Sequence, residues 1–135
     1  MPLLLDTGPL YALADADDAW HAPVRDFLAA RREVLLVPVT VLPEVAYLLA
    51  SRLGEAVERR FVASLAAREL TIEDLKAADV ERCRDLLDRY PQLGFVDATV
   101  VAMAERLRLP AIVTTDRRHF APVRPAHRPA FELLP

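Results

Sequence analysis

The chain has 135 residues, of which 53% are hydrophobic and 27% charged; this balance excludes a disordered protein and fits one folded domain over residues 1–135. Its single cysteine, Cys83, excludes a disulfide framework and indicates a reducing compartment, so we expect a cytoplasmic protein. The formal net charge of -3 excludes a protein that binds nucleic acid by bulk electrostatics alone.

Two apolar stretches need to be distinguished from targeting or membrane segments. The N-terminal MPLLLDTGPLYALA carries Asp6 where a signal peptide needs an unbroken apolar core, so we interpret it as a buried strand that runs into a turn. The stretch from Val34 to Ala50 contains Pro38, Pro43 and Glu44, which would strongly destabilise a membrane-spanning helix. It is typical of strand, turn and helix, and we expect no membrane segment.

Short apolar runs alternate along the chain with longer segments of helical periodicity. The runs have the length and composition of buried strands, although periodicity alone does not distinguish these from helix fragments. The predicted strands are Leu3 to Leu5, Val34 to Val37, Ala111 to Thr114 and, at the edge of the sheet, Phe131 to Leu134.

Five helices are predicted in the remaining segments. They cover Asp17 to Arg32, Thr40 to Leu53, Glu55 to Ala67, Asp74 to Tyr90 and Asp97 to Leu107. Thr40 is the candidate N-cap of the second helix, because Pro43 is tolerated in a first turn, where its missing N–H has no helical partner. In the fourth helix, Val80, Cys83 and Leu86 are expected to point inward. Strands that alternate with helices imply a parallel sheet covered on both faces, an α/β fold.

Four acidic residues have positions that predict a common site. Asp6 directly follows the run LLL and Asp116 follows IVTT, so both lie just beyond the carboxyl ends of predicted strands, where open α/β sheets bind ligands. Glu44 lies in the first turn of the second helix, and Asp97 opens the fifth. Because helix N-termini that follow strands lie at the same edge of the sheet, the four carboxylates are expected to converge.

Each acid also has an ordinary structural explanation. Asp6 and Asp116 fit turns, Asp97 fits a helix N-cap, and Glu44 fits a favourable interaction with the helix dipole. Taken together, however, like charges in one cleft raise one another's pKa and destabilise the fold unless a cation neutralises them. Oxygen ligands without clustered Cys or His favour a hard ion, so the predicted cofactor is Mg²⁺ or Mn²⁺.

Four segments occur in order between Met1 and about Phe120: DTGPLYALADADDAWH, LPEVAYLL, GFVDATVVAMAERL and TTDRRHF. Together they resemble the motif blocks of PIN-domain ribonucleases, in particular the VapC-like toxins of type II bacterial toxin–antitoxin pairs. The resemblance implies a PIN-like three-layer sandwich, with a parallel sheet of four to five strands flanked by helices. This agrees with the α/β fold that the alternation of strands and helices predicts.

The resemblance also implies which residues form the site. The catalytic and metal-binding acids of the family fall on Asp6, Glu44, Asp97 and Asp116. Supporting hydroxyls fall on Thr7 and Thr115, for which a role as turn hydroxyls is an equal explanation. Because the acidic set is complete, nothing in the sequence indicates an inactive copy.

The C-terminal part of the chain is locally basic. Arg117, Arg118 and His119 begin this region, and Glu132 is its single acid. A solvated tail and a phosphate-contacting surface are both open explanations. As an RNA-binding surface, Arg117, Arg118 and His119 would contact the phosphate backbone of the substrate.

The resemblance implies hydrolysis of RNA phosphodiester bonds. Metal-activated water is the mechanism that remains for this reaction, because the sequence has no His pair at acid–base spacing and no serine nucleophile context. The products are expected to carry a 5′-phosphate and a 3′-hydroxyl. A VapC-like toxin implies a small VapB-like antitoxin that covers the acidic cleft, and a homodimer. The segments Thr40 to Leu53 and Glu55 to Ala67 are the candidate dimer surface, although core packing explains their apolar residues equally well.

Several other functions are alternatives to this one. A free-standing RNA-processing PIN nuclease and a non-catalytic RNA- or protein-binding PIN module both stay open. A receiver domain needs a lysine after a late strand, but the only lysine, Lys76, begins a helix. The tripeptide Asp6-Thr7-Gly8 also occurs in aspartic proteases, whose β-rich folds with glycine flaps do not fit a chain with three glycines and long helical patterns.

Overall fold

The computed structural model describes residues 1–135 and contains five β-strands and seven α-helices. The strands are β1 (Leu3–Leu5), β2 (Leu35–Pro38), β3 (Thr71–Glu73), β4 (Ala111–Val113) and β5 (Glu132–Leu134). The helices are α1 (Thr7–Ala14), α2 (His21–Ala29), α3 (Leu42–Leu53), α4 (Glu55–Ala66), α5 (Ala77–Arg89), α6 (Phe95–Arg106) and α7 (Arg117–Phe120). None of these helices combines the length and the apolar composition that a membrane crossing requires.

All five strands pair in parallel, in the order β3-β2-β1-β4-β5. The chain adds β2 and β3 on one side of β1 and then crosses back to add β4 and β5 on the other side. Because parallel crossovers are right-handed, this reversal places the helices before β3 and those between β3 and β4 on opposite faces of the sheet. Accordingly, α1, α3 and α4 pack together, and α5 packs against α6. The predicted α/β fold, with a parallel sheet between helices, is confirmed.

The hydrophobic core is centred on β1, β4 and α6. Leu4, Leu5, Ile112 and Val113 in the two neighbouring strands are completely buried. In α6, every residue from Ala98 to Ala104 is buried, so this helix is enclosed on all sides over that length. Full burial of each large aliphatic side chain stabilises the fold by about 2 kcal/mol. The elements that lead into the acidic residues are therefore the most firmly packed ones.

Two helices and one strand, α1, α7 and β3, are not among the predicted elements. The segment after β1 is the helix α1 and not a turn, because Gly8 and Pro9 both lie in its first turn, where proline's missing N–H has no helical partner. The sequence does not predict β3, because this strand has only three residues, TIE, which are largely exposed and form no apolar run. The predicted edge strand near the C-terminus is confirmed as β5.

The helix α2 begins at His21 and not at Asp17, because the acidic segment before it forms turns. The carboxylate of Asp15 accepts the backbone N–H of Asp17 at 3.0 Å. The carboxylate of Asp18 accepts the backbone N–H of Trp20 at 2.8 Å. These side chains satisfy backbone donors locally and so compete with the helix.

Two predicted side-chain positions are wrong. Thr40 is not a helix N-cap; it lies in a 3-10 turn that joins β2 to α3, and its Oγ1 is 2.6 Å from Oγ1 of Thr99 on α6. Val80 on α5 points outward and is 45% exposed. The inward position at the start of α5 belongs to Asp79, which is buried because a cation from α6 pairs with it.

That cation is Arg106, which ties α6 to α5 and β3. Its guanidinium donates to both oxygens of Asp79, at 2.9 and 3.0 Å, and to Oε1 of Glu73 at 3.0 Å. The Asp79 carboxylate also accepts the backbone N–H of Lys76 at 2.9 Å. Hydrogen bonds to Asp79 raise the pKa of Arg106. These partners offset the desolvation of a carboxylate that is only 1% exposed.

Replacing Arg106 by Met should therefore lower the free energy of unfolding by about 3 kcal/mol, because it leaves the Asp79 carboxylate buried without its counter-ion. Urea unfolding measures this loss. The matched control is Arg59→Ala, which removes an exposed salt bridge to Glu55 and should change stability little. Equal stabilities of the two variants would contradict a structural role for the buried pair.

Candidate active site

Asp6 and Asp116 lie where the order of the strands reverses. Asp6 directly follows β1, and Asp116 follows β4, the neighbouring strand in which Val113 stands opposite Leu5. The backbone N–H of Asp6 donates to the carbonyl of Val113 at 2.9 Å, so the residue is tied to both strands. A reversal of strand order opens a crevice beyond the carboxyl ends of the strands, and α/β proteins bind ligands there.

The Asp6 carboxylate is buried, with 5% of the residue exposed. The hydroxyl of Thr114 donates to Oδ2 of Asp6 at 2.9 Å and accepts the backbone N–H of Asp116 at 2.9 Å. Burial, together with the nearby Asp97 and Asp116 charges, raises the pKa of Asp6 from 3.8 to about 6, although hydrogen bonds from Thr114 and the Thr7 backbone oppose the shift. The protein thus keeps an ionisable group where its charged form is disfavoured.

Asp97 lies in the first turn of α6, whose N-cap is Gly94. Burial raises the pKa of Asp97, and the charges of Asp116 and Glu44 act in the same direction. A backbone hydrogen bond from Gly94 and the charge of His119 oppose this rise. The first turn of a helix favours a carboxylate, because the free N–H groups there carry partial positive charge.

Glu44, in the first turn of α3, is exposed. It lines an open cleft together with Asp97 and Asp116. The residues lining this cleft are Glu44, Gly94, Phe95, Val96, Asp97, Asp116 and His119. Asp6 is not part of the cleft wall, but its buried carboxylate interacts electrostatically with Asp97 and Asp116. The structure therefore brings the four predicted acids to one edge of the sheet, three of them at an open surface.

His119 lies between two of these acids. Oδ1 of Asp116 caps the short helix α7 by accepting the backbone N–H of His119 at 3.0 Å. The imidazole Nδ1 is 2.7 Å from Oδ2 of Asp116 and 3.3 Å from Oδ2 of Asp97. Sequence reasoning placed His119 only among the RNA contacts and missed this position. The spacing of Asp116 and His119 at i and i+3 is the signal that identifies the first contact.

The two predicted supporting threonines have different surroundings. The hydroxyl of Thr7 is buried and has no hydrogen-bond partner. Thr115 faces Gly8, where a Cβ atom would lie 2.1 Å from the Thr115 Oγ1, so the close approach of α1 requires glycine. The hydroxyl that contacts Asp6 belongs instead to Thr114, which sequence reasoning missed.

The two predicted arginines also have different surroundings. The Arg117 guanidinium donates to the Leu133 carbonyl at 3.2 Å and to the backbone oxygen of Pro135, and it lies 6.0 Å from the ring centre of Trp20. These contacts cover the outer edge of β5, which would otherwise expose unpaired backbone groups. Arg118 is exposed.

The donor atoms at this edge are carboxylate and hydroxyl oxygens, which suit a hard divalent cation such as Mg²⁺ or Mn²⁺. The hydroxyl of Thr7, next to Asp6 in the chain, is buried without a hydrogen-bond partner, which fits a site that binds a further polar group. In this structure, however, no three His, Cys, Asp or Glu side chains are grouped closely enough to hold a metal ion. The chemistry of the residues fits the ion, but the side chains would have to rearrange to bind it.

Comparison with known proteins assigns the chain to a family. The family model for the PIN domain matches residues 3–124. The chain belongs to the PIN domain family. Ribonuclease VapC26 of Mycobacterium tuberculosis is 32% identical over 135 residues, which is 98% of this chain and 100% of that protein.

Solved structures share the fold. The crystal structure of Mycobacterium tuberculosis VapC20, a sarcin-ricin loop cleaving toxin, matches with a TM-score of 0.81 at 24% identity and covers 89% of this chain and 94% of that one. A chain of a toxin-antitoxin complex from Klebsiella pneumoniae matches with a TM-score of 0.73 at 22% identity, over 90% of this chain and 92% of that one. At these identities the matches show a common architecture.

In the presence of a chelator, Asp6 should make stability depend on pH. Its pKa in the folded protein, about 6, lies above its ordinary value of 3.8, so between these values the folded state alone keeps the proton. Stability therefore falls as the pH rises through this window, by on the order of 3 kcal/mol in total, and stays lowered above it.

Asp6→Asn isolates this effect, because asparagine keeps an acceptor for Thr114 but carries no charge. Urea unfolding at several pH values should show the variant near wild-type stability at pH 3.8 and increasingly more stable than wild type towards pH 7. A stability difference that is constant across this range would contradict a raised pKa at Asp6.

Proposed function

We propose that this chain is a metal-dependent endoribonuclease and the toxin of a toxin–antitoxin pair. The proposed nuclease activity rests on one observation, the convergence of four carboxylates at one edge of the sheet. They belong to Asp6, Glu44, Asp97 and Asp116. The similarity to Ribonuclease VapC26 over nearly the whole chain supports RNA as the substrate.

In this proposal, Asp6, Asp97 and Asp116 hold Mg²⁺ or Mn²⁺, and Glu44 contributes from the exposed side of the cleft. When bound, such an ion polarises a phosphate and activates water for attack. The carboxylates orient that water by accepting its hydrogens, and Thr114 keeps the Asp6 carboxylate in place through its 2.9 Å hydrogen bond. Because the nucleophile is water, the RNA 2′-hydroxyl takes no part, and the products carry a 5′-phosphate and a 3′-hydroxyl.

The arginines of α7 are the proposed phosphate contacts. Arg118 is exposed, two residues after Asp116, and is free to meet the RNA backbone at the rim of the cleft. Arg117 would first have to leave the oxygens of Leu133 and Pro135. We therefore assign Arg118 the larger share of backbone binding.

The proposed protein partner is a small VapB-like antitoxin. The match to a chain of a toxin-antitoxin complex supports this partner, and an antitoxin segment over the acidic cleft would block access to RNA. We also propose a homodimer, for which α3 and α4 offer the exposed Tyr47 and Val62. The one cysteine, Cys83, is free and buried, which fits the proposed cytoplasmic location.

Asp97→Asn tests the proposed metal-dependent activity. The change keeps the size of the side chain but removes a ligand charge, so binding of Mn²⁺ and cleavage of RNA should both be lost, with cleavage reduced on the order of 100-fold or more. Isothermal titration calorimetry with Mn²⁺ measures the first effect. Incubation with bacterial total RNA, followed by sequencing of ends that carry a 5′-phosphate, measures the second.

The matched control is Asp88→Asn, which removes an exposed aspartate from α5, outside the acidic cluster. This variant should bind Mn²⁺ and cleave RNA like the wild type. The proposal fails if Asp97→Asn retains wild-type cleavage, or if the wild type cleaves RNA equally well in a chelator.

A further inference from the structure

Phe95 is an exposed aromatic side chain in the wall of the acidic cleft. It is 48% exposed, and it belongs neither to the hydrophobic core nor to the side chains that pack against the core. Single exposed apolar residues are common on protein surfaces, but this ring lies two residues before Asp97 among the charged groups of the cleft. The other exposed large hydrophobic residues line no part of the cleft: Met1, Val34, Tyr47, Val62, Ile72 and Val80.

The backbone that carries the ring is firmly held. Phe95 is the first residue of α6, and the side chain of its neighbour Val96 packs against the core. The hydroxyl of Thr99 donates to the carbonyl of Val96 at 2.6 Å, and the N–H of Ala98 donates to the carbonyl of Gly94 at 3.0 Å. The first turn of α6 therefore presents the ring to the cleft from a fixed position.

Gly94 leaves open space beside the ring. Its backbone is extended, with φ -91° and ψ 178°, a conformation that any residue adopts. A Cβ atom on Gly94 would meet no other atom within 4 Å. Neither the backbone nor the packing therefore requires glycine at this position. Because Gly94 itself lines the cleft, the missing side chain leaves room for a ligand to approach Phe95.

The face of a phenyl ring suits a nucleobase and not a phosphate. The RNA backbone carries charge, whereas bases are flat and uncharged, and unpaired bases of RNA commonly stack on aromatic side chains. Every base can stack in this way, because each has a π face. In the proposed reaction the phosphate lies at the acids, so the base of an adjoining nucleotide reaches the part of the cleft wall that Phe95 forms.

We infer that Phe95 is a substrate-binding residue, on which an RNA base next to the cleaved bond stacks. This inference rests on the proposed ribonuclease function. A base that stacks on a side chain has to leave its own helix, so the substrate is single-stranded at the cleaved bond. The stacked base also fixes the position of the adjoining phosphate relative to the acids.

Steady-state cleavage of a synthetic RNA tests the inference. The RNA reproduces a cleavage site that has been mapped in bacterial total RNA, together with its flanking sequence. Phe95→Ala removes the stacking face and should raise KM by about tenfold. The value of kcat should change much less, because the lost interaction is one of substrate binding. Phe95→Trp keeps an aromatic face and should have a KM near that of wild type, whereas Phe95→Leu, which is apolar without a π face, should resemble Phe95→Ala.

Abasic substitutions identify the base that stacks. Each nucleotide near the cleaved bond is replaced in turn by an abasic one, and KM is measured with wild type and with Phe95→Ala. At the stacked position, the abasic substitution should raise KM with wild type and have little effect with Phe95→Ala, because the stacking partner is already missing. A purely structural role of Phe95 would show no such coupling.

The matched control is Val80→Ala, which removes an exposed apolar side chain from α5, outside the cleft. This variant should have the KM and kcat of wild type. Circular dichroism spectra check that all variants are folded, and Phe95→Leu replaces Phe95→Ala in the abasic series if the alanine variant does not fold.

The possible results separate the inference from the proposed function. If the variant without a π face keeps the wild-type KM, or if no abasic position is coupled to Phe95, the ring binds no base and the inference is overturned while the nuclease activity stands. An unchanged KM with an altered oligomeric mass in size-exclusion chromatography would assign the ring to an interface between protein chains. If the wild type cleaves no RNA, the proposed function fails, and the inference fails with it.

Discussion

Carboxylates that repel one another are held together at the carboxyl edge of the sheet. Asp6 and Asp116 follow neighbouring strands at the point where the strand order reverses, and Asp97 enters from the first turn of α6. Burial and mutual repulsion raise the pKa values of Asp6 and Asp97. A protein that keeps such groups together loses stability unless a cation or a hydrogen-bond donor compensates them.

The fold tolerates the loss of stability that the clustered carboxylates cause, because the elements that carry these acids are its best-packed parts. The central strands β1 and β4 and the helix α6 contribute most of the completely buried side chains. At the far end of α6, the pair of Arg106 and Asp79 fixes the helix to α5. Inside the site, the hydroxyl of Thr114 donates to Asp6 and the backbone N–H of His119 donates to Asp116, so both carboxylates are held in defined positions.

Local rules explain why the sequence predicts the positions of the acids. Asp6 directly follows the run LLL and Asp116 follows IVTT, and strand ends in a parallel sheet share one edge, so their proximity needs no knowledge of tertiary contacts. The roles of Thr114 and His119 depend on contacts between separate elements, which periodicity does not record. The strand β3 escapes prediction for a related reason: its residues are largely exposed, and pairing with β2 alone makes it a strand. The chemical role of the acids stays a prediction.

The most direct measurement is a crystal structure of the protein grown with Mn²⁺, with anomalous diffraction data that locate the ion. An anomalous peak is expected among the carboxylate oxygens of Asp6, Asp97 and Asp116, which are ligands that hard divalent cations prefer. Well-ordered carboxylates in a crystal at saturating Mn²⁺, with no anomalous peak among them or with a peak only elsewhere, would contradict this expectation.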